Sequence, residues 1–264
     1  MTDVPDLPDI DPDARRVVTL DAVHNFRDIG GYPTTDGRVT RWGRLFRADG
    51  LYRLTEDDLE VVRTLGLRTV LDLRTDEELD LRGRFPFEYH PVAFHHIPIM
   101  DSTWASLPEV EVTDRDPAEF LEWAYTDMLR ESGDRFARAI VHLSEAEVMP
   151  AVFHCAAGKD RTGVLAMLLL GALRVRTDYI IADYALTAEG TARLREWSRR
   201  ESPELYERME SLPSQMMAAV PEAMHRVIEI VTSQHGTLRD AVLHLGVPES
   251  ALLRLEDELL EARA

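Results

Sequence analysis

An α/β fold, with a mostly parallel central sheet flanked by helices, is predicted by three observations. Short apolar runs that read as buried strands alternate with capped helical patterns, the pattern of right-handed βαβ units. One of these runs, Ala151-Val152-Phe153, enters a loop of small residues and leaves it through the apolar stretch Val164–Leu173, giving strand, tight turn and buried helix. Residues able to do chemistry fall at the carboxyl ends of the predicted strands, where open α/β sheets gather their functional groups.

Composition bounds the rest. The chain has 264 residues, 45% of them hydrophobic and 30% charged, enough for one large domain of ordinary globular character. We read 1–15 as a flexible acidic arm and 16–264 as a single domain without internal repeats. A net charge of −18 argues against nucleic-acid binding. The longest apolar run, Val164–Leu173, is too short for a membrane span, and Met1–Asp13 is acidic and proline-rich, unlike a signal peptide. A single cysteine excludes an intrachain disulfide and suits a reducing compartment, so the expected location is cytoplasmic.

In chain order, Arg16–Leu20 reads as a short strand. His24-Asn25-Phe26-Arg27-Asp28-Ile29-Gly30-Gly31 follows, a polar turn dense in Asn, Arg and Asp. Asp36-Gly37 marks a hairpin turn and Leu45–Ala48 a strand. Thr55 caps a helix with an acidic first turn, Arg68–Arg74 is a buried parallel strand, and Thr75 caps the next helix. Phe94–Ile99 is a strand ending at Asp101. Helical patterns over Ala118–Leu129 and Arg135–Leu143 are split at Gly133-Asp134. After the loop helix, Thr177-Asp178 caps a further helix, and 185–200 continues helical with many arginines, as the solvated face of an amphipathic helix would. Pro213–Thr232, whose methionines read as core filler, Thr237–Leu245 and Pro248–Leu260 complete an all-helical end.

The loop His154-Cys155-Ala156-Ala157-Gly158-Lys159-Asp160-Arg161-Thr162-Gly163 holds the only cysteine and the only lysine of the chain. A helix N-terminus and neighbouring cations favour a thiolate, the nucleophilic form of Cys155. Arg161 can grip two oxygens of a phosphate with its planar fork. Ala156, Ala157 and Gly158 are small enough for the backbone to curl round a tetrahedral anion, and the Thr162 hydroxyl can donate to the sulfur. The nucleotide-binding Gly-x4-Gly-Lys-Ser/Thr loop is excluded, since Phe153 replaces its first glycine and Asp160 its magnesium-binding hydroxyl. No second cysteine exists for a redox pair, and His95-His96 point to opposite strand faces, so no metal site is expected.

This Cys-x5-Arg loop resembles the signature of the cysteine-dependent tyrosine phosphatases. Its fuller form is similar to that of the bacterial branch of the secreted mycobacterial type, as is Asn25-Phe26-Arg27-Asp28-Ile29-Gly30-Gly31. The likeness runs over roughly 20 to 260 and includes the C-terminal helices. It implies a cysteine-phosphatase fold and hydrolysis of phosphomonoesters, phosphotyrosine in proteins foremost, through a cysteinyl-phosphate and without a cofactor. By this resemblance Cys155 is the nucleophile, residues 156 to 161 bind phosphate, and Asp101 matches the loop aspartate used as general acid. Asp160 is its main competitor, with Asp72, Asp114 and Asp116 behind it. His154 would orient the loop and favour the thiolate; Arg27 and Asp28 would support it. Lys159, at a loop rim, is where phosphoinositide phosphatases meet an additional phosphate, which gives the alternative substrate. The resembled branch covers its site with helices from the 185–215 region, and some of its members are exported without a recognisable signal. A phosphate-binding module without turnover is the rival from another class.

Overall fold

The computed structural model describes residues 4–10, 15–86, 88, 90–104 and 115–263. Five strands form the central sheet: β1 (Arg27–Asp28), β3 (Leu45–Ala48), β4 (Thr69–Asp72), β5 (Ala93–His96) and β6 (Ala151–His154), in the spatial order β1-β3-β6-β4-β5. Only β1 is antiparallel, to β3; β3, β6, β4 and β5 run parallel to one another. The predicted α/β class with a mostly parallel sheet is therefore the observed one. A second, two-stranded sheet pairs β2 (Arg38–Thr40) with β7 (Leu260–Ala262) and ties the end of the chain to its beginning. The strand β7 follows a helix without a turn signal and was not expected.

Register explains why the site forms where it does. Ala48 and Asp72 both lie opposite His154, and Asp72 also lies opposite His96. The carboxyl ends of four strands therefore open onto one edge, and the segments after them meet there. Alternation along the strands sorts the core into two layers. Leu45, Leu71 and Phe153 face one layer, built with the C-terminal helices. Phe46, Val70 and Val152 face the other, with Leu59 and Val62 of helix α1 (Glu56–Thr64).

Two helices before β6 are set by their caps. Thr55 caps α1 and Thr75 caps α2 (Asp76–Arg82), each in a reciprocal box with Asp58 or Glu78. Helix α3 (Pro117–Leu143) is continuous except at Ser132, whose φ of −128° kinks it beside the glycine where two helices were expected. Helix α4 (Asp160–Ala172) leaves the loop after β6 and is buried on nearly every side, as its unbroken apolar sequence requires. Then come α5 (Thr177–Ala185), α6 (Thr187–Glu201), α7 (Pro203–Glu210) and α8 (Ser214–Met217). Finally α9 (Pro221–His235), α10 (Leu238–His244) and α11 (Glu249–Leu259) pack on the larger layer.

Three expectations need correction. Arg16–Leu20 is no strand; only Val17 makes a bridge, to Arg27, flanked by the backbone bonds of Asp28 N–H to Arg16 O and Val18 N–H to Phe26 O, while the Arg16 side chain turns inward to the carbonyls of Ile10, Asp28 and Gly30. The expected helix over Pro213–Thr232 is two, divided at Pro221, which has no N–H to continue the ladder and starts α9 instead. Of the arm 1–15, Val4 and Leu7 pack against the core and Ile10 is buried in it, so this part is docked rather than free. Among the described residues no helix is long and apolar enough to cross a membrane.

The layer around α4 sets a first test. Leu169→Ala, at a fully buried position, should lower the unfolding free energy by about 2–5 kcal/mol in urea titrations. Leu253→Ala, 52% exposed on α11, should change it by less than about 0.5 kcal/mol. Equal effects would contradict the assignment of the core.

Candidate active site

β6 ends at His154 and α4 begins at Asp160, so Cys155–Lys159 is the turn between them. Gly158 adopts a φ of +65°, and a Cβ there would lie 2.5 Å from the Ala48 carbonyl oxygen. Both the left-handed backbone and the close approach to β3 demand glycine.

The carbonyls of this turn are held from behind. Gly50 N–H donates to Ala156 O at 3.0 Å. Asn25 Nδ2 donates to Ala157 O at 3.0 Å and to Gly158 O at 3.1 Å. Arg47 Nη2 adds a donor to Gly158 O at 2.8 Å. In a trans peptide the N–H points opposite to the C=O, so the N–H groups of Ala157, Gly158 and Lys159 are turned the other way. Among the described residues, the N–H groups from Ala156 to Lys159 donate to no protein acceptor. Convergent N–H donors at the mouth of a helix form an anion cradle.

The donors behind the loop are themselves fixed by one buried carboxylate. Asp183 of α5 accepts Arg27 Nε at 2.9 Å, Arg47 Nη1 at 2.5 Å and the Tyr32 hydroxyl at 2.9 Å. Burial works against its charge, but the two guanidinium groups outweigh that and hold its carboxyl well below the usual range. Arg27 Nη1 also donates to Asn25 Oδ1, which leaves the amide NH2 of Asn25 facing the loop carbonyls.

Arg161, in the first turn of α4, is gripped by both oxygens of Glu78, with Nη2 at 3.1 Å from Oε1. Burial raises the Glu78 carboxyl, yet Arg161 prevails and holds it down at about 2. Burial opposes the charge on Arg161 in turn, while Cys155, Glu78 and Asp160 favour it. The guanidinium is thus permanently charged and pre-aimed beside the sulfur. Cys155 is 2% exposed and lies on the wall of a cleft. Arg161, Lys159 and Asp160 share that wall, with Met100 and Trp104 beside them and Leu194, Leu205, Met209 and Met217 of α6–α8 above.

The tyrosine phosphatase family matches residues 18–261 of the sequence. The chain belongs to that family. A provisionally named tyrosine-protein phosphatase of Cupriavidus necator is 34% identical over 177 residues, 64% of this chain and 62% of that protein. The triple specificity protein phosphatase PtpB of Mycobacterium tuberculosis is 30% identical over 199 residues, 67% of this chain and 71% of that protein. A tyrosine-protein phosphatase of Nostoc commune is 33% identical over 147 residues, 54% of this chain and 47% of that one. The matches thus leave more than a third of the Cupriavidus protein and over half of the Nostoc protein outside the aligned length. Among solved structures, the Siw14 catalytic core aligns with a TM-score of 0.34 at 13% identity, over 83% of this chain and 96% of that one.

The remaining residues expected in this phosphatase-family site are distributed unevenly. Asp160 lies on the cleft wall and accepts the Tyr125 hydroxyl at 2.7 Å and Lys159 Nζ at 2.5 Å, both on Oδ1. Asp101 does not join it: the side chain is 87% exposed and paired with Arg135 Nη2 at 2.7 Å. Asp72 is buried against Arg74, Asp116 caps α3, and Asp114 lies outside the described residues. Lys159 lines the cleft but is buried and paired with Asp160. The Thr162 hydroxyl is buried and has no hydrogen-bond partner among the described residues, so the expected donation to the sulfur is not made here. His154 bonds the Cys155 carbonyl through Nδ1 at 3.1 Å. Burial pushes its pKa down and Asp72 only partly counters this, so a neutral His154 orients the loop without lending it charge. Arg27 reaches the loop through Asn25, whose Oδ1 accepts its Nη1. Asp28 instead receives the N–H groups of Gly30 and Gly43 at 2.8 and 2.6 Å and serves its own turn.

Sequence reading did not assign Glu78, Asn25, Asp183, Tyr125 or Tyr184. Glu78 was legible as the third residue of a helix cap, but its second role needs the register of β4 and β6. The Glu78–Arg161 pair predicts a pH effect. A depressed carboxylate stabilises the fold above its unfolded pKa, and that contribution disappears as pH falls from about 4.5 towards about 2. Glu78→Gln should flatten this part of the acid unfolding curve, worth at most roughly 3 kcal/mol, and should lower turnover at least about tenfold by releasing Arg161. An unchanged acid limb would contradict the pairing.

Proposed function

We propose that this chain hydrolyses phosphomonoesters, with phosphotyrosine in proteins as the leading substrate, through a cysteinyl-phosphate intermediate. The observation that carries this reading is the cradle itself. N–H donors from 156 to 159, the charged Arg161 fork and the single cysteine converge on one cleft without a metal-ligating cluster among the described residues. Equatorial phosphate oxygens fit those donors, which stabilise the charge that moves onto them in the transition state.

The Cys155 thiolate attacks phosphorus in line, forming an S–P bond as the P–O bond to the leaving group breaks. We assign the general acid to Asp160, which shares the cleft wall with Cys155, and not to Asp101. A proton passes from Asp160 to the departing oxygen. Water then attacks the phosphocysteine while the same carboxylate takes up its proton, and the S–P bond breaks to release inorganic phosphate and restore the thiolate. The apolar roof from α6 to α8 suits an aryl group more than a short aliphatic one. The His-Cys-x-x-Gly-Lys-Asp-Arg-Thr-Gly form of the loop, and the likeness to PtpB, favour the bacterial branch of the mycobacterial type.

One kinetic series tests the reading on a phosphotyrosine peptide, a phosphoserine peptide and soluble phosphoinositides with EDTA present. Cys155→Ser should abolish turnover and retain vanadate binding. Asp160→Asn should lower kcat by about 10²–10⁴-fold for poor leaving groups and much less for a nitrophenolate, while Asp101→Asn should leave both rates within about twofold. Turnover surviving in Cys155→Ser would end the covalent mechanism. A large loss in Asp101→Asn would return the acid to that residue.

A further inference from the structure

Asp160 is held by more than its loop. Tyr125 of α3 donates its hydroxyl to Oδ1 at 2.7 Å, and the Tyr184 hydroxyl of α5 lies 2.7 Å from the Tyr125 oxygen. A phenol has one hydrogen to give. Since Tyr125 gives its own to the carboxylate, Tyr184 is the donor in the second bond, and the chain runs Tyr184 to Tyr125 to Asp160. Both rings are fully enclosed, with Tyr125 against Trp104 at 6.2 Å and edge-on to Tyr184 at 6.1 Å. Burial first, and Asp160 second, push both hydroxyls well above the usual phenol range, so each keeps its proton throughout catalysis.

We infer that Tyr125, backed by Tyr184, is the positioning residue that fixes which oxygen of Asp160 exchanges the proton with the leaving group. This rests on the reading of Asp160 as the acid. Among the described residues, Tyr125 and Lys159 both meet Oδ1, and Oδ2 has no protein donor. The catalytic proton therefore belongs on Oδ2. A loop residue at the first position of a helix has a side chain free to swing. The phenol, anchored on two other helices, removes that freedom and holds the carboxyl plane relative to the sulfur.

The experiment compares Tyr125→Phe, Tyr184→Phe and Asp160→Asn with the parent, reading kcat and KM separately for an alkyl phosphate and for nitrophenyl phosphate. Circular dichroism confirms folding, since phenylalanine retains the ring packing. Tyr125→Phe should cut kcat about tenfold for the alkyl substrate, with KM nearly unchanged and little change in either constant for the nitrophenyl one. Tyr184→Phe should do the same to a smaller extent. A Tyr125→Phe enzyme with equal losses on both substrates, or with the loss in KM rather than kcat, would overturn the positioning role. If Asp160→Asn retains leaving-group-independent activity, it is the acid assignment that fails, and the two outcomes are distinguishable in one data set.

Discussion

A loop that turns its N–H groups towards an anion must turn its carbonyls into the protein, and buried carbonyls need donors. That requirement shapes the first third of this chain. The carbonyls of Ala156, Ala157 and Gly158 are met by Gly50, Asn25 and Arg47, groups that come from just after β3, just before β1 and β3 itself. The parallel pairing of β3 with β6 places them there, and Gly158 lets the two backbones approach. Two buried arginines next to one another would repel, so a carboxylate is needed between them; Asp183 supplies it from α5. Removing that carboxylate would leave two uncompensated cations in the core, a loss on the order of 3–5 kcal/mol.

The roof over the cleft depends on the same framework. Arg27 Nη2 donates to Thr187 Oγ1 at the start of α6, and Arg193 donates to the His24 carbonyl. Gly190 lies so near Asn25 that a Cβ would stand 2.8 Å from its amide oxygen, and the Trp197 ring lies 5.5 Å from that of His24. One turn, His24 to Arg27, therefore holds the cradle from behind and the roof from the side. Met209 and Met217 reach over the sulfur from the same framework, which makes the cleft apolar above and cationic below.

Local signals made the parallel strands of the central sheet, the caps and the nucleophile loop legible, but not the antiparallel β1 or β7. Thr55 and Thr75 announce their helices, and the apolar run into His154-Cys155 and out after Gly163 announces the central strand and helix. Roles that depend on long-range register were not legible. By resemblance the expected general acid is Asp101, with Asp160 as its main competitor; the Asp101 side chain faces solvent and Arg135, whereas Asp160 faces the cleft. Of the methionines read as core filler, Met224 is buried in the core and Met216 packs against it, while Met217 lines the cleft, as Met216 also does; composition cannot tell a core helix from the underside of a roof. The arginine-rich pattern of α6 reads as a solvated face, and so it is along Arg195 and Arg199, while Thr191 and Leu194 on its other side close over the loop. Asp183 gives no sign at all in a sequence window, since its partners lie 136 and 156 residues away.

The most direct test of the account is the affinity of the cradle for an anion when its carbonyl support is removed. Orthovanadate binding to Cys155→Ser should be measured by calorimetry with and without Asn25→Ala. Loss of the Asn25 bonds should weaken binding about tenfold or more while the protein remains folded, although Asn25 touches no part of the anion's cleft. Unchanged affinity in a folded Asn25→Ala variant would mean that the loop keeps its N–H groups aimed without help from behind, and would contradict the account.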